Sequence, residues 1–484
     1  MQFSIVKYFL QVSFLLCFVC SCGSSEKDNN EYTYFGGEIV NPNTNYVVLS
    51  KGYDYRDTIL LDKNNRFSHR IENLEDGLYS FKHNPEYQVV LLEKGDSVLI
   101  RLNTLEFDES LVFTGKGSEK NNFLIDLFLQ NEIERENLKR IGFRSPPAYF
   151  KKKQDSLLNI KSVAFKELIY KNELSNLAKK LTQACFVYEH YMKHELYSNI
   201  HHKMGNSNTI QELPASFFSY RNQVDFNDDE LKRLYSYNRF LNCYFANASR
   251  SNYKNQQHLS QYSYKLGSTI HQLDLIDSMI VHPYIKNSLL RRSTLRFLLK
   301  ESENNQESDK ILNHYLSIST NNRSQQELKK LARHISKLRP NKIIPDQDLI
   351  SSEGKTMKLS SLFNKPITAL YFWSIESKDH YVKAHEKATH LSSLYSGIDF
   401  IALNIDPEQT KNWLKTIKRH RYNLDNEYGF KYPKCSSEEL VIHYRNKVIL
   451  VDQEGKIINS GADLFAPVFE KQLMQYTQLA NLEN

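Results

Sequence analysis

Apolar residues along this chain change their period twice, and each change excludes one kind of structure and admits another. Over residues 31–117, short β-branched runs at 46–50, 57–61, 88–92 and 97–101 are separated by Asn41-Pro42, Asn64-Asn65, Asp76-Gly77 and Lys94-Gly95-Asp96. Strands at that spacing, with no helical period between them, predict a small antiparallel β-sandwich. Over residues 118–340 the period becomes helical, as in Phe123, Leu124, Leu127 and Phe128, and again in Leu174, Leu177, Leu181 and Val187. Pro146-Pro147, Pro214 and Pro283 divide this all-α region into several helices, and Pro340 marks its exit. Over residues 341–484 strands and helices alternate: strands at 368–373 and 399–405, helices at 377–395 and 407–421, a hairpin at 447–452 and 456–458, and a last helix at 466–479. Parallel strands first and an antiparallel hairpin last is the thioredoxin arrangement, so the chain reads as a multidomain protein ending in an α/β thioredoxin-like domain.

The N-terminal segment has a different character. One charge, Lys7, precedes an apolar run over 8–22. A bilayer span needs about 20 residues, so residues 1–21 read as an export signal and not as a membrane helix. Val19-Cys20-Ser21-Cys22 resembles the lipobox of bacterial lipoproteins, in which the last cysteine is acylated. That resemblance implies lipidation at Cys22 and anchoring in the cell envelope, with residues 22–30 as a polar tether. Gly23, with no acidic residue after the lipidated position, resembles lipoproteins sent to the outer membrane.

Charge and cysteine usage exclude other classes. A formal net charge of +7 over 484 residues is mild, and an exported chain has no nucleic acid to meet. Of six cysteines, Cys17 and Cys20 leave with the signal and Cys22 takes the lipid. Cys185, Cys243 and Cys435 remain, an odd and widely spaced set that makes no disulfide framework. Cys185 and Cys243 are close enough in type to pair in an oxidising compartment, but each reads better as a small buried hydrophobe.

Several short motifs, taken in order, resemble a known family. Pro345-Asp346, Gly354-Lys355 and Leu359-Ser360-Ser361-Leu362 look like the lead-in of the periplasmic thioredoxin-like proteins called TlpA and ResA. Phe372-Trp373 matches the strand end before their active site, and Val451-Asp452 with Gly455-Lys456 matches their final hairpin. Phe35-Gly36-Gly37, Gly77-Leu78-Tyr79, Gly95-Asp96-Ser97 and Phe113-Thr114-Gly115-Lys116-Gly117 resemble the β domain that often precedes such modules. The resemblance touches both ends and just under half of the chain.

Chemistry in that family needs two thiols in Cys-x-x-Cys at a helix start, one to attack a disulfide and one to resolve the intermediate. The resemblance puts Ser377 and His380 of Ser377-Lys378-Asp379-His380 at those positions, and Asn446 at the position of the family's cis-proline. A serine hydroxyl has no two-electron couple, so the module is expected to be redox-inactive, with no cofactor. Ser377 reads as a helix N-cap. Asp379 and His380 point about 100° apart on a helix, so no catalytic triad is expected with Ser377. Trp373 is expected beside the substrate groove. Cys435, in Tyr432-Pro433-Lys434-Cys435, is the lone thiol of the module.

Two further constellations stand outside that module. His190, His194 and His201 fall on one helical stripe, and two histidines a turn apart can chelate a divalent ion. Tyr197 shares the stripe, and a partly buried aromatic face explains it as well, so no metal is assigned. Phe217-Phe218-Ser219-Tyr220 and Tyr235-Ser236-Tyr237 suit either a binding groove or a helical core. The expectation is a membrane-anchored binding or scaffold module for a protein or glycan ligand. The alternatives are a thiol-disulfide oxidoreductase acting through Cys435 or a partner's thiols, and a glycan- or nutrient-binding lipoprotein.

Overall fold

The computed structural model describes residues 32–482 apart from 53, 205–212, 257–261, 303 and 407–409. Residues 1–30, on which the expected export signal, the lipidation at Cys22 and the tether fall, lie outside the described residues. No described helix is long and apolar enough to cross a membrane. The chain divides into two compact units, one with residues up to His83 and Tyr87–Leu129, the other with 84–86 and 130–484.

The first unit contains β1 (Thr33–Val40), β2 (Tyr46–Lys51), β3 (Tyr55–Leu60), β4 (Arg66–Ile71), β5 (Gly77–His83), β6 (Glu86–Leu92), β7 (Ser97–Asn103) and β8 (Val112–Lys116). They form two four-stranded sheets, ordered β4-β1-β7-β8 and β3-β2-β5-β6. Strand β7 shows the rule that builds them: Val98, Ile100 and Leu102 are buried while Ser97, Leu99 and Arg101 face water. Phe35, Leu49, Phe81, Leu92, Ile100 and Phe113 come from both sheets and join one core. The expected all-antiparallel pairing does not hold, because β1 runs parallel to β7, from Tyr34↔Ser97 to Val40↔Asn103. Such a pair needs a long crossover, and alternation within each strand carries no information about its partner's direction.

Helix α1 (Ser118–Arg140) leaves this unit by a pair of amide side chains. Leu91 N–H donates to Asn121 Oδ1 at 2.7 Å, and Asn121 Nδ2 donates back to Leu91 O at 3.0 Å. Asn122 repeats the exchange with Phe113, at 2.9 and 2.8 Å. Strands β6 and β8 are the edges of their sheets, so each asparagine stands in for a missing strand partner. Lys120, the residue before them, is buried on Glu93 and Asp96, at 2.6 and 2.7 Å.

The second unit continues with α2 (Pro147–Lys171), α3 (Asn176–Met204), α4 (Tyr235–Gln256), α5 (Tyr264–Met279), α6 (Pro283–Arg296), α7 (Asn305–Ile318) and α8 (Asn322–Lys337). Pro147 and Pro283 begin their helices, where a missing N–H costs nothing. Phe217 and Tyr237 are fully buried, so those aromatic clusters are chiefly core, although Tyr235 is exposed.

A seven-stranded sheet follows, ordered β10-β9-β13-β12-β11-β14-β15. Its strands are β9 (Asp348–Ser351), β10 (Thr356–Lys358), β11 (Ile367–Trp373), β12 (Ile398–Asn404), β13 (Glu427–Phe430), β14 (Lys447–Val451) and β15 (Ile457–Asp463). Its helices are α9 (Lys378–Leu394), α10 (Thr410–His420), α11 (Pro433–Glu439) and α12 (Phe469–Leu482). Strand β11 is buried at every position, with β12 parallel on one side and β14 antiparallel on the other. This is the thioredoxin arrangement expected from the element order. Ala384 and Leu391 of α9, Trp413 of α10 and Phe469 of α12 pack into its core.

Candidate functional site

Everything at the end of β11 is organised around one carboxylate. Asp406, just past β12, accepts from Ser374 Oγ, from Ile375 N–H at 2.7 Å and from Asn404 Nδ2 at 2.9 Å. The central strand ends at Trp373, so this clamp fixes the turn that delivers the chain to α9. Ser377 N–H donates to Ser374 O at 3.1 Å, and Tyr381 N–H donates to Ser377 O at 2.9 Å as the helix begins. Ser377 occupies the N-cap position, as expected, but its side chain makes no capping hydrogen bond. Its backbone, at φ −129° and ψ 74°, is set by the Ser374 turn and not by its own hydroxyl.

His380, one turn into α9, is half-buried, and its ring lies 6.0 Å from that of Phe465, edge to face. Neither ring nitrogen has a well-aligned hydrogen-bond partner. Burial lowers the His380 pKa, the Arg445 charge lowers it further, and the Asn446 side chain beside it pushes the other way. Asn446 immediately precedes β14 and accepts from Leu464 N–H at 2.8 Å. The fold therefore brings His380 and Asn446 together. Asp379 is exposed, and with His380 unpaired no Ser–His–Asp relay is assembled.

Trp373 was expected to line the groove, and it does not. It is fully buried, with its ring 5.5 Å from Tyr381 and 5.1 Å from His385. A strand-end aromatic faces the core or the rim according to the pleat, and here the pleat turns it inward. Cys435 is exposed on the seven-residue α11. That helix follows β13, which β12 separates from β11, so the thiol belongs to a different part of the sheet. Cys185 and Cys243 are free thiols, and burial pushes them up to about 12 and about 11. Both side chains are half-buried in the helical region, and thiols raised this far are poor nucleophiles at neutral pH.

Asn446 also borders a cavity of about 1130 Å³. Its wall is rich in cations, with Lys300, Arg339, Arg445 and Lys447 against Asp463. Arg339 is committed to Ser302 and Ser308, at 2.9 and 3.0 Å, whereas Arg445 is exposed. Lys447 is buried, donates to Leu440 O and Val441 O, and is pushed by burial down to about 7.

The histidine stripe resolves into two parts. His190 and His194 come together with Asp155 of α2, one donor atom from each lying within 4.8 Å of the others. His201 instead stacks on Tyr197, at 5.3 Å between centroids. Burial lowers both pKa values, His190 down to about 2. Asp155 is the residue that sequence reasoning missed. It sits 35 positions before His190 on another helix, and no local pattern could announce it. Glu195, on the same helix as the histidines, is wholly buried and bound by Arg221 at 2.8 and 2.7 Å.

Comparison with known proteins finds no matching family model and no matching curated protein. Solved structures do resemble parts of the chain. The thioredoxin domain of a thiol-disulfide oxidoreductase from Bacteroides vulgatus is 18% identical, covering 29% of this chain and 99% of its own, at a TM-score of 0.26. A thiol:disulfide interchange protein from a Bacteroides species is also 18% identical, covering 30% and 92%, at 0.25. A thioredoxin-like protein from Bacteroides caccae is 12% identical, covering 59% and 93%, at 0.34.

Proposed function

We propose that this chain is a lipid-anchored envelope protein whose C-terminal thioredoxin-like module binds a protein or glycan ligand without dithiol exchange. The observation that carries the reading is the start of α9. The family resemblance sets Ser377, at the N-cap, and His380 at the positions of the two thiols, and Asn446 lies beside His380. A helix N-terminus there would stabilise a thiolate, but a serine hydroxyl ionises far above physiological pH. The cation-rich cavity beside Asn446 offers the binding surface.

An insulin-reduction assay with a small-molecule dithiol donor tests the reading. Turnover at background, unchanged in Cys435→Ser, supports it. Turnover above background that vanishes in Cys435→Ser would sink it. Anchoring is tested separately: labelled palmitate should be incorporated in cells, recovered in the outer-membrane fraction, and lost in Cys22→Ala.

A second reading is thiol-disulfide exchange through Cys435 or a partner's thiols. The exposure of Cys435 favours it. It is also the reading with which the names of the similar structures agree, an agreement that concerns fold and not chemistry. A mixed disulfide trapped on Cys435 in cells would promote it over the first.

A further inference from the structure

Helices α2 and α3 bring a carboxylate to two imidazoles. His190 and His194 are one helical turn apart, so their rings share a face, with centroids 4.4 Å apart. Asp155 Oδ1 lies 3.6 Å from His190 Nε2. We propose that Asp155 Oδ1 and the Nε2 atoms of His190 and His194 form a binding site for a divalent transition ion of the zinc class, with at least one coordination position left open on the Asp155 side.

The surroundings of the three ligands support this. Nδ1 of His194 lies 3.0 Å from His190 O and donates to it, which leaves Nε2 as the lone-pair nitrogen. Lys151 Nζ donates to Asp155 Oδ2 at 2.6 Å, holding the carboxylate so that Oδ1 faces His190. Ligating carboxylates are ordinarily hydrogen-bonded in this way. Phe217 and Phe150 stand 4.9 and 5.5 Å from the His194 ring and fix its plane. The side of the site toward Asp155 is open, since that side chain is 45% exposed while His194 is 1% exposed.

Donor type and spacing select the metal. Imidazole nitrogens suit zinc, nickel, copper and cobalt, whereas calcium and magnesium require oxygen shells. A tetrahedral ion with bonds of about 2.0–2.1 Å sets its donors about 3.4 Å apart. His190 and Asp155 are already near that distance. The widest pair, within 4.8 Å, must close by roughly 1.4 Å, a small rotation of either ring. Nearby lysines set the affinity. Lys161 and Lys193 share the single charge of Glu134, and Lys151 is paired to Asp155 itself, so a positive surplus stays near the ion and binding in the micromolar range is expected and not the tighter range of closed structural sites.

Cobalt titration of the chelator-stripped full chain is the direct test. One equivalent of Co²⁺ should give a visible d–d band, and stoichiometric Zn²⁺ should abolish it. Asp155→Asn, a half-exposed change that spares the core, should weaken Zn²⁺ at least tenfold in competition with a chromophoric chelator. His190→Gln should do the same while keeping the wild-type circular dichroism spectrum. Absence of the band in the unmodified protein would overturn the site whatever the variants do. Zn²⁺ bound with undiminished affinity by both variants would put the metal elsewhere and would equally overturn it. A Ca²⁺ affinity matching that of Zn²⁺ would overturn the assigned class.

Discussion

His385 Nε2 stands 2.8 Å from Glu427 Oε1, and the two side chains are 5% and 2% exposed. The pair lies under the candidate site, between Trp373 at 5.1 Å and Tyr422, which stacks on the imidazole at 3.7 Å. Burial raises the Glu427 pKa, and His385 only partly offsets it. A carboxyl whose folded pKa is raised gives stability that is present below its unfolded value and lost as pH rises through the folded one. Glu427→Gln should therefore gain on the wild type as pH rises from about 4.5 toward neutral. Glu427→Ala leaves His385 Nε2 without its partner while Nδ1 stays on Tyr381 O, and should cost about 1–3 kcal/mol. Urea denaturation across that pH range measures both, and a pH-independent difference for the Gln variant would refute the first.

Lys447 supplies a second pH dependence of opposite form. Its pKa falls to about 7 in the folded chain from an ordinary 10.5, so folding expels a proton in between. The lysine's contribution is at its best above about 10.5 and declines as pH falls, by at most about 1.4 kcal/mol per pH unit, until it levels below about 7. Lys447→Met should remove that slope, whatever it costs by depriving Leu440 O and Val441 O of a donor. Denaturation midpoints at pH 7, 8.5 and 10 would show it, and equal slopes in variant and wild type would count against it.

Asn121 and Asn122 finish the two N-terminal sheets through side chains, so neither should tolerate loss of the amide. Each Ala substitution leaves one backbone N–H and one C=O of a β strand without a partner and should cost about 2–4 kcal/mol. Hydrogen exchange offers the sharper measurement: Leu91 N–H should lose protection in Asn121→Ala, and Phe113 N–H in Asn122→Ala. Retained protection in both would mean that the strands hold these edges unaided.

On the proposed reading, the thioredoxin-like module keeps the scaffold for dithiol chemistry without the thiols. Ser377→Cys with His380→Cys should restore weak insulin reduction, because the Asp406 clamp and the start of α9 remain in place. Activity should stay well below that of a native dithiol enzyme while Asn446 fills the proline position. Adding Asp406→Ala should abolish what is restored. A double-cysteine variant that forms its disulfide yet shows no turnover would indicate that the groove is no longer open to a substrate chain.

Period alone determined much of this protein. Short β-branched runs between turn signals predicted strands at 46–50, 57–61, 88–92 and 97–101, and the structure has Tyr46–Lys51, Tyr55–Leu60, Glu86–Leu92 and Ser97–Asn103. Helical spacing predicted the middle segment, and the run over 368–373 predicted the buried central strand. These are local properties, since burying one face of a strand or helix imposes its period on the residues themselves. The short strands Thr356–Lys358 and Glu427–Phe430 escaped because three or four residues cannot display a period.

Tertiary structure decided what depends on partners. That β1 runs parallel to β7, that Trp373 faces inward, and that Asp155 meets His190 and His194 are all matters of which distant segments approach. Sequence set Ser377, His380 and Asn446 as the residues at the candidate site, through their resemblance to a family. Only packing could show that Ser377 caps nothing with its hydroxyl and that His380 has no aligned partner. The physical reason is the same in each case. Period is a local consequence of burial, whereas contacts between separated segments arise from the closing of loops whose cost depends little on what the loops contain.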